Sequence, residues 1–400
     1  MSWRSIPPEL GVPTVLAALI DVIGLTVPLD QGGAALSLTT GLTRYLLIAY
    51  GLLVLRRRGA SRASPLLALG AALQGIAAAC ALATALISVV LGRGAWVSVF
   101  GPLGYVSSGA TLGFAVAMIA AARAWRSPLA PIAVLTSLAW HMPRVLAEPV
   151  YSRLHGERYF QLFFGLAMLA AQVALLGLFA RLEKPEAPAD PVGAERGARR
   201  AALALALRAL LGAASGVVIC VLIAGGPAVW VLALGGLLGI AALGVVVSQI
   251  SGLLAMASAR LASLSSPGLY VAGFAALWEV LFNTSVLALQ RDRGTTLGAM
   301  LVVVVSTVGM VVAGWAVRGV AGLRRDRQLR SAIATRVAWI IALQAVNGLS
   351  VGLIYSSPPG HAVALVLLGL AMQTSAIFLL GGLFARVADR IPVNAAADVF

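Results

Sequence analysis

Charged residues inside long apolar stretches give the first indication of chemistry in this sequence. Asp21, Arg44 and Glu279 each lie inside an apolar run of roughly the twenty residues that a transmembrane helix needs. A charge at the bilayer centre costs about 2.5–3.5 kcal/mol on insertion scales, so each such residue needs a partner or a function. We therefore treat the three residues as candidates for ion coupling or substrate binding.

Asp21 and Arg44 are predicted to lie at the same depth in the membrane. Asp21 precedes Leu29 by eight residues and Arg44 follows Leu36 by eight, so each lies about 12 Å below the outer end of its helix. A short hairpin would bring the two side chains together as an ion pair. Two interpretations stay open: Asp21 binds a proton or the substrate with Arg44 as its counter-charge, or the pair only locks the two helices together.

A second polar group is expected around Glu279. Asn283 follows Glu279 by one helical turn on the same face, and Gln344 and Asn347 lie three residues apart at a similar depth in another apolar run. If these helices touch, the four side chains form one cluster, either a structural hydrogen-bond network or a binding site. Gln74, inside a further apolar run, is expected to contribute to the polar lining.

The sequence offers no metal site and no cofactor motif. The three histidines are dispersed, Cys80 and Cys220 lie in separate apolar runs, and neither an HExxH motif nor a paired-histidine spacing occurs. A GxxxxGK[ST] loop for nucleotide phosphates is absent, which disfavours ATP-driven pumping. An intramembrane enzyme would need a nucleophile with a base or a metal, and Ser215 has neither nearby in sequence. We predict no metal, no cofactor and no enzymatic activity.

The composition indicates an integral membrane protein. Hydrophobic residues make up 60% of the 400 residues and charged residues only 11%, far from the balance of a soluble domain. We predict an all-α polytopic membrane protein with about 12 transmembrane helices. The predicted spans are Gly11–Leu29, Leu36–Leu55, Leu66–Leu91, Val97–Ala122, Leu129–Val150, Tyr159–Leu182, Leu205–Ala224, Ala228–Ile250, Gly268–Leu289, Thr296–Val317, Ala332–Tyr355 and Ala362–Ala385.

The basic residues set the predicted orientation. The net charge is +15, and placing both termini in the cytoplasm puts 22 of the 29 Lys and Arg residues on that side, with Arg208 at the cytoplasmic end of its helix. This bias follows the positive-inside rule, so we predict a multi-pass protein of the inner membrane. Because the arginines lie in short loops beside apolar runs, the lipid bilayer is the expected partner and nucleic acid is not.

Short motifs recur in the same order at offsets of 199 to 205 residues. They are Gly51-Leu52-Leu53 and Gly252-Leu253-Leu254, Ser64-Pro65 and Ser266-Pro267, Ala139-Trp140 and Ala338-Trp339, Gly165–Met168 and Gly369–Met372, and Leu178–Arg181 and Leu383–Arg386. A duplication of six spans predicts two parallel bundles. Their expected bounds are 1–182 and 201–390, with a cytoplasmic linker at 183–200 and a C-terminal tail at 391–400.

This architecture resembles the major facilitator superfamily of secondary transporters. After the second span, Gly51, Arg56, Gly59 and Arg62 are similar to that family's loop of glycine, aspartate, arginine and glycine followed by basic residues, although Leu55 stands where the aspartate is expected. The resemblance implies two bundles that rock around a central cavity and move a small solute by alternating access, driven by an ion gradient, such as that of protons, or by substrate flux.

The expected function is therefore secondary transport of a small-molecule substrate. The residues expected to couple substrate or ions are Asp21, Arg44, Glu279, Gln344, Asn347 and Gln74. The alternative is a non-transporting membrane subunit or scaffold whose intramembrane ion pairs are structural. A water-accessible cavity that reaches Asp21 would favour the transporter, and solidly packed bundles would favour the scaffold.

Overall fold

The computed structural model is all-α. It describes residues 5–26, 33–58, 64–146, 158–182, 189–225, 229–289, 296–321, 326–354 and 357–395, without some of the side chains inside these ranges. These ranges contain eleven α-helices and a 3-10 turn, Arg318–Ala321. In chain order the helices are α1 (Pro8–Thr26), α2 (Gly33–Arg57), α3 (Ser64–Ala121), α4 (Leu129–Leu146), α5 (Arg158–Phe179), α6 (Pro191–Gly225), α7 (Val229–Ser258), α8 (Ser266–Leu289), α9 (Thr296–Ala316), α10 (Arg327–Ile354) and α11 (Pro359–Ala395).

Eight segments in the described residues are long and apolar enough to cross a membrane. They are Leu38–Arg57, Ser64–Thr84, Pro102–Ala121, Pro191–Val218, Leu237–Ser258, Ala299–Ala321, Arg327–Ile354 and Gly360–Ile391. Helices α4, α5 and α8 contain shorter apolar stretches. These segments confirm the prediction of a helical membrane protein, whereas the arrangement of twelve spans in two repeats stays a prediction.

Many large apolar side chains are exposed and several polar side chains lie inside, as expected in a lipid environment. Leu210, Ile240 and Leu349 are 66%, 72% and 68% exposed, whereas Gln74 and Gln344 are nearly inaccessible. In water this distribution would leave large apolar patches uncovered. In a bilayer it places leucine and isoleucine against lipid tails and keeps amide groups among protein partners.

Helix α3 turns back on itself. A straight helix of its 58 residues would extend about 87 Å, roughly three times the hydrocarbon thickness. A Cβ at Gly70 would nevertheless lie only 2.7 Å from the Cε of Met118, and Ala78 shares a core cluster with Ala110. Gly70 thus lies near Met118, and Ala78, further along the chain, lies near the earlier residue Ala110. This order of contacts is that of two antiparallel arms, Ser64–Thr84 and Pro102–Ala121.

Helix α6 begins earlier than the sequence analysis predicts. The backbone N–H of Gly193 donates to Oδ1 of Asp190 at 2.7 Å, so Asp190 caps the helix and Pro191 occupies its first position. The predicted linker at 183–200 is therefore helical from Pro191 onward. As a consequence Arg208, which was expected at the end of its helix, lies near the middle of a 35-residue helix. The predicted tail is likewise helical as far as Ala395.

The chain divides into two compact units. Unit 1 comprises Met1–Ala187 with Leu281–Gly294, and unit 2 comprises Pro188–Val280 with Thr295–Phe400. In unit 1 the rings of Phe114 and Phe179 lie 6.4 Å apart within the apolar core. In unit 2 the side chains of Tyr270, Phe274, Trp278 and Phe384 are fully buried. Each unit thus has its own core.

A glycine from the repeated Gly-Leu-Leu motif packs against the first helix of each unit. A Cβ at Gly51 would lie 2.7 Å from the carbonyl oxygen of Glu9. A Cβ at Gly252 would lie 2.7 Å from the backbone nitrogen of Ala201 and the carbonyl oxygen of Gly197. These distances are too short for any other side chain, so glycine permits the close helix contact that is common in membrane proteins.

Candidate functional site

Unit 2 contains a buried polar network centred on Glu279 of α8. Its Oε1 accepts hydrogen bonds from Nη2 of Arg208 at 2.5 Å and from Nε2 of Gln373 at 2.9 Å. Nη1 of Arg208 donates to Oε1 of Gln249 at 3.1 Å. We call these four residues the unit 2 network, and it joins helices α6, α7, α8 and α11.

The unit 2 network balances its own charges. The side chains of Arg208 and Glu279 are 13% and 5% exposed, so each charge depends on the other for its stability. Removing one partner of such a pair costs about 3–5 kcal/mol, because the remaining charge stays buried. The adjoining cavity, which Ser306 and Gly309 help to line, measures about 20 Å³, room for about one water molecule. This arrangement fits a structural lock better than a solute site.

Among the described residues no hydrogen bond joins Gln344 or Asn347 to Glu279, so the structure does not bring these three side chains into one hydrogen-bonded cluster as predicted. Nδ2 of Asn347 donates to Oε1 of Gln344 at 3.1 Å within α10. A Cβ at Gly369 of α11 would lie 2.8 Å from Oδ1 of Asn347, so this polar pair faces α11. Glu279 takes Arg208 and Gln373 as partners instead, and the Asn283 side chain lies outside the described residues.

In unit 1, Asp21 pairs with a glutamine rather than with Arg44. Nε2 of Gln172 donates to Oδ2 of Asp21 at 2.9 Å. In the part of the chain that the structure describes, Arg44 forms no ion pair with Asp21, and its guanidinium carbon lies 5.0 Å from the ring centre of Tyr45. The predicted direct ion pair is therefore wrong. A cation–π contact holds Arg44, and its charge acts on Asp21 only over a longer distance.

A cavity of about 30 Å³ lies inside unit 1, next to Gln172. We call it the unit 1 cavity. It has room for about two water molecules and is lined by residues of α1, α2, both arms of α3, α4 and α5. Its polar lining residues are Thr14, Arg44, Gln74, Thr111, Ser137 and Gln172.

Two amide oxygens at the unit 1 cavity have no hydrogen-bond partner among the described residues. They are Oε1 of Gln74 and Oε1 of Gln172, on side chains that are 2% and 1% exposed. A carboxylate accepts but cannot donate, so Asp21 must bind the Nε2 side of the Gln172 amide and leave its oxygen free. Buried acceptors without a donor cost about 1–3 kcal/mol each. The cavity is thus prepared for a molecule that donates hydrogen bonds.

A buried ion pair joins two helices of unit 1. Nη1 of Arg58, next to the end of α2, lies 3.0 Å from Oε1 of Glu9 in the first turn of α1, with side chains 12% and 4% exposed. The pair ties the beginning of α1 to the end of α2. Its position suits a structural role.

The structure thus separates the predicted residues into three groups. Arg44 and Gln74 line the unit 1 cavity, with Asp21 behind Gln172; Glu279 belongs to the unit 2 network; Gln344 and Asn347 pair on α10. The partner residues were not predicted from the sequence; they are Arg208, Gln172, Gln249 and Gln373. Each of them is a polar residue inside an apolar run, and that signal could have identified them.

The described residues contain no group of three or more His, Cys, Asp or Glu side chains that could hold a metal ion. Comparisons of the chain with protein-family models, with curated proteins and with solved structures found no match. The function must therefore be inferred from the geometry of each unit.

Proposed function

We propose that this protein is a secondary transporter that moves a small polar solute across the membrane by alternating access. The observation that carries the proposal is the unit 1 cavity. It presents two unpartnered amide oxygens and a guanidinium inside an otherwise apolar bundle. A purely structural interior would satisfy these groups internally, because unpaired polar groups in hydrocarbon are costly.

The two polar sites have different roles in this proposal. The unit 2 network is hydrogen-bonded through both charged residues, and it stabilises its own bundle. The unit 1 cavity binds solute, and Asp21 couples transport to a proton or another cation. Asp21 acts through Gln172, whose amide it orients.

Corresponding positions of the two units support a duplicated carrier. Ile48 and Gln249 occupy equivalent positions, each three residues before the glycine of a Gly-Leu-Leu motif. Gln74 and Ala276 are also equivalent, each ten residues after the serine of a Ser-Pro motif. Ile48 and Gln74 line the unit 1 cavity, and Gln249 and Ala276 line the cavity of unit 2. Matching helix positions around both cavities are what two parallel six-helix repeats would produce.

The proposed location is the inner membrane, with both termini in the cytoplasm. The support is the sequence itself, because this orientation puts 21 of the 29 basic residues on the cytoplasmic side even when Arg208, which lies near the middle of α6, is not counted. The resemblance to the major facilitator superfamily extends this proposal to rocking of the two units against each other.

A second candidate function is a non-transporting scaffold, and the unit 2 network favours it. Arg208 and Glu279 satisfy each other with two glutamines, next to a cavity of only about 20 Å³. If the unit 1 cavity held only structural water, both units would be static.

Solute-driven proton movement into proteoliposomes separates these functions. Vesicles containing the purified protein and a pH-sensitive dye are given pools of small polar solutes. A carrier gives a protein-dependent pH change with one of the pools. Asp21→Asn should abolish this change while the protein stays folded, and Asp389→Asn, which alters an exposed carboxylate, should leave it unchanged. Wild-type coupling by Asp21→Asn would contradict the assigned role. The absence of both a pH change and solute uptake with every pool would favour the scaffold.

A further inference from the structure

The wall of the unit 1 cavity presents hydrogen-bond acceptors. The Thr14 hydroxyl donates its proton to the carbonyl oxygen of Leu10 at 2.7 Å, and the Thr111 hydroxyl donates to that of Ser107 at 2.9 Å. Because each hydroxyl has one proton, both oxygens offer only lone pairs to the cavity. Together with the unpartnered amide oxygens of Gln74 and Gln172 they match a ligand with several N–H or O–H groups. An ammonium group supplies three donors.

Arg44 adds a positively charged hydrogen-bond donor to these acceptors. Arg44 lines the cavity. Within the described part of the chain its guanidinium forms no hydrogen bond or ion pair, and it lies over the Tyr45 ring. A planar guanidinium binds carboxylates through two parallel hydrogen bonds. The ligand therefore has an anionic group as well as donors.

The charges around the cavity indicate that the ligand is neutral overall. Arg44 contributes one positive charge, and Asp21, behind Gln172, contributes one negative charge. A net cation would be repelled by Arg44, and a net anion would be repelled by Asp21. A zwitterion can place its negative group near Arg44 and its positive group on the side of Asp21.

We infer that the unit 1 cavity binds a small zwitterion that carries both an ammonium group and a carboxylate. The ammonium group donates to Oε1 of Gln74 and of Gln172, and the carboxylate accepts from Arg44. This inference rests on the proposed function and specifies its substrate class. The cavity of about 30 Å³ holds about two water-sized groups, so the lining helices must separate slightly to admit even glycine, as an alternating-access cycle requires.

Binding of glycine to the full-length protein in detergent tests the inference. Isothermal titration calorimetry should show saturable binding of glycine. Acetate and methylammonium, which carry one charge each, and glycerol, which carries none, should bind at least tenfold more weakly. This comparison uses the wild-type protein alone, so it does not depend on whether a variant folds.

Variants then assign the contacts. Gln74→Leu should weaken glycine binding about tenfold to a hundredfold, since it removes a hydrogen bond to a charged group. Gln344→Leu is the matched control. It removes a glutamine that is equally buried and also has an unpartnered amide atom, but lies in unit 2, so it should bind glycine like the wild type.

Three results would overturn the inference. They are no glycine binding, equal binding of glycine and glycerol, and wild-type affinity in a folded Gln74→Leu variant. The proposed function has its own outcome. Proteoliposomes that bind glycine but do not take it up would refute transport and keep the binding site, whereas uptake of a solute that is not a zwitterion would keep transport and refute the substrate class.

Discussion

Replacing Glu279 by glutamine should destabilise unit 2 strongly. The substitution keeps the size of the side chain but removes the negative charge beside Arg208. Oε1 of Glu279 lies 2.5 Å from Nη2 of Arg208 and 2.9 Å from Nε2 of Gln373. Since the side chains of Arg208 and Glu279 are only 13% and 5% exposed, the guanidinium left without its carboxylate stays largely buried. The expected loss is about 3 kcal/mol, the lower end for a broken buried pair, because an amide oxygen still accepts one hydrogen bond.

The double variant Arg208→Leu/Glu279→Leu should be less destabilised than Glu279→Gln. It removes both charges from an apolar bundle and leaves only the neutral amides of Gln249 and Gln373 without partners, at about 1 kcal/mol each. The two positions should therefore show a coupling energy of about 2–3 kcal/mol in a double-mutant cycle. Gln373→Leu alone, which removes one neutral donor, should cost about 1 kcal/mol.

Denaturant unfolding in detergent micelles, followed by tryptophan fluorescence, measures these differences. Trp278 is fully buried next to Glu279 in sequence and reports the loss of packing in this part of unit 2. A Glu279→Gln variant within about 0.5 kcal/mol of the wild type would refute the argument that Arg208 depends on this carboxylate. Additivity of the Arg208→Leu and Glu279→Leu effects would also refute it, because independent residues show no coupling.

Three further predictions concern packing, ion pairs and transport. Gly252→Ala should cost about 1–3 kcal/mol of unfolding free energy, because its Cβ would meet backbone atoms at 2.7 Å. Gly239→Ala, whose Cβ would have nothing within 4 Å, should be neutral or stabilising. Equal effects of the two substitutions would contradict the close helix contact. Glu9→Gln should cost about 3 kcal/mol through its buried pair with Arg58, and Glu195→Gln, in an exposed pair, less than about 0.5 kcal/mol, in the same unfolding assay. Asp21→Asn should abolish solute-driven proton movement in proteoliposomes without changing the unfolding midpoint, and a dye response equal to the wild type would remove Asp21 from the coupling role.

Helix positions were predictable where the sequence carries a local signal. The Ser-Pro dipeptides at 64–65 and 266–267 mark the first residues of α3 and α8, because proline suits the first turn of a helix and not its interior. The beginning of α6 was missed although Asp190 and Pro191 carry the same kind of signal. The charged and proline-rich composition around them favoured a linker. In the structure the backbone N–H of Gly193 donates to Asp190, and this capping hydrogen bond starts the helix at Pro191.

The partners of the buried polar residues could not be predicted from depth alone. Asp21 and Arg44 were expected to pair because a hairpin would put them at one depth. Pairing also depends on how each helix is rotated about its axis, and in the structure Gln172 faces Asp21 while Arg44 faces the Tyr45 ring. Glu279 pairs with Arg208 because α6 begins at Pro191, earlier than predicted, so that Arg208 lies near the middle of the helix rather than at its end.

Accessibility of the unit 1 cavity from both sides of the membrane tests the central claim most directly. Ser137 lines the cavity, and Ser137→Cys can be placed in a background without Cys80 and Cys220. A carrier predicts that this cysteine reacts with a membrane-impermeant thiol reagent added to either side, in vesicles of each orientation. Ala133→Cys, one turn away in the sealed core, should not react from either side. Labelling of residue 137 from one side only, or from neither side, would contradict alternating access.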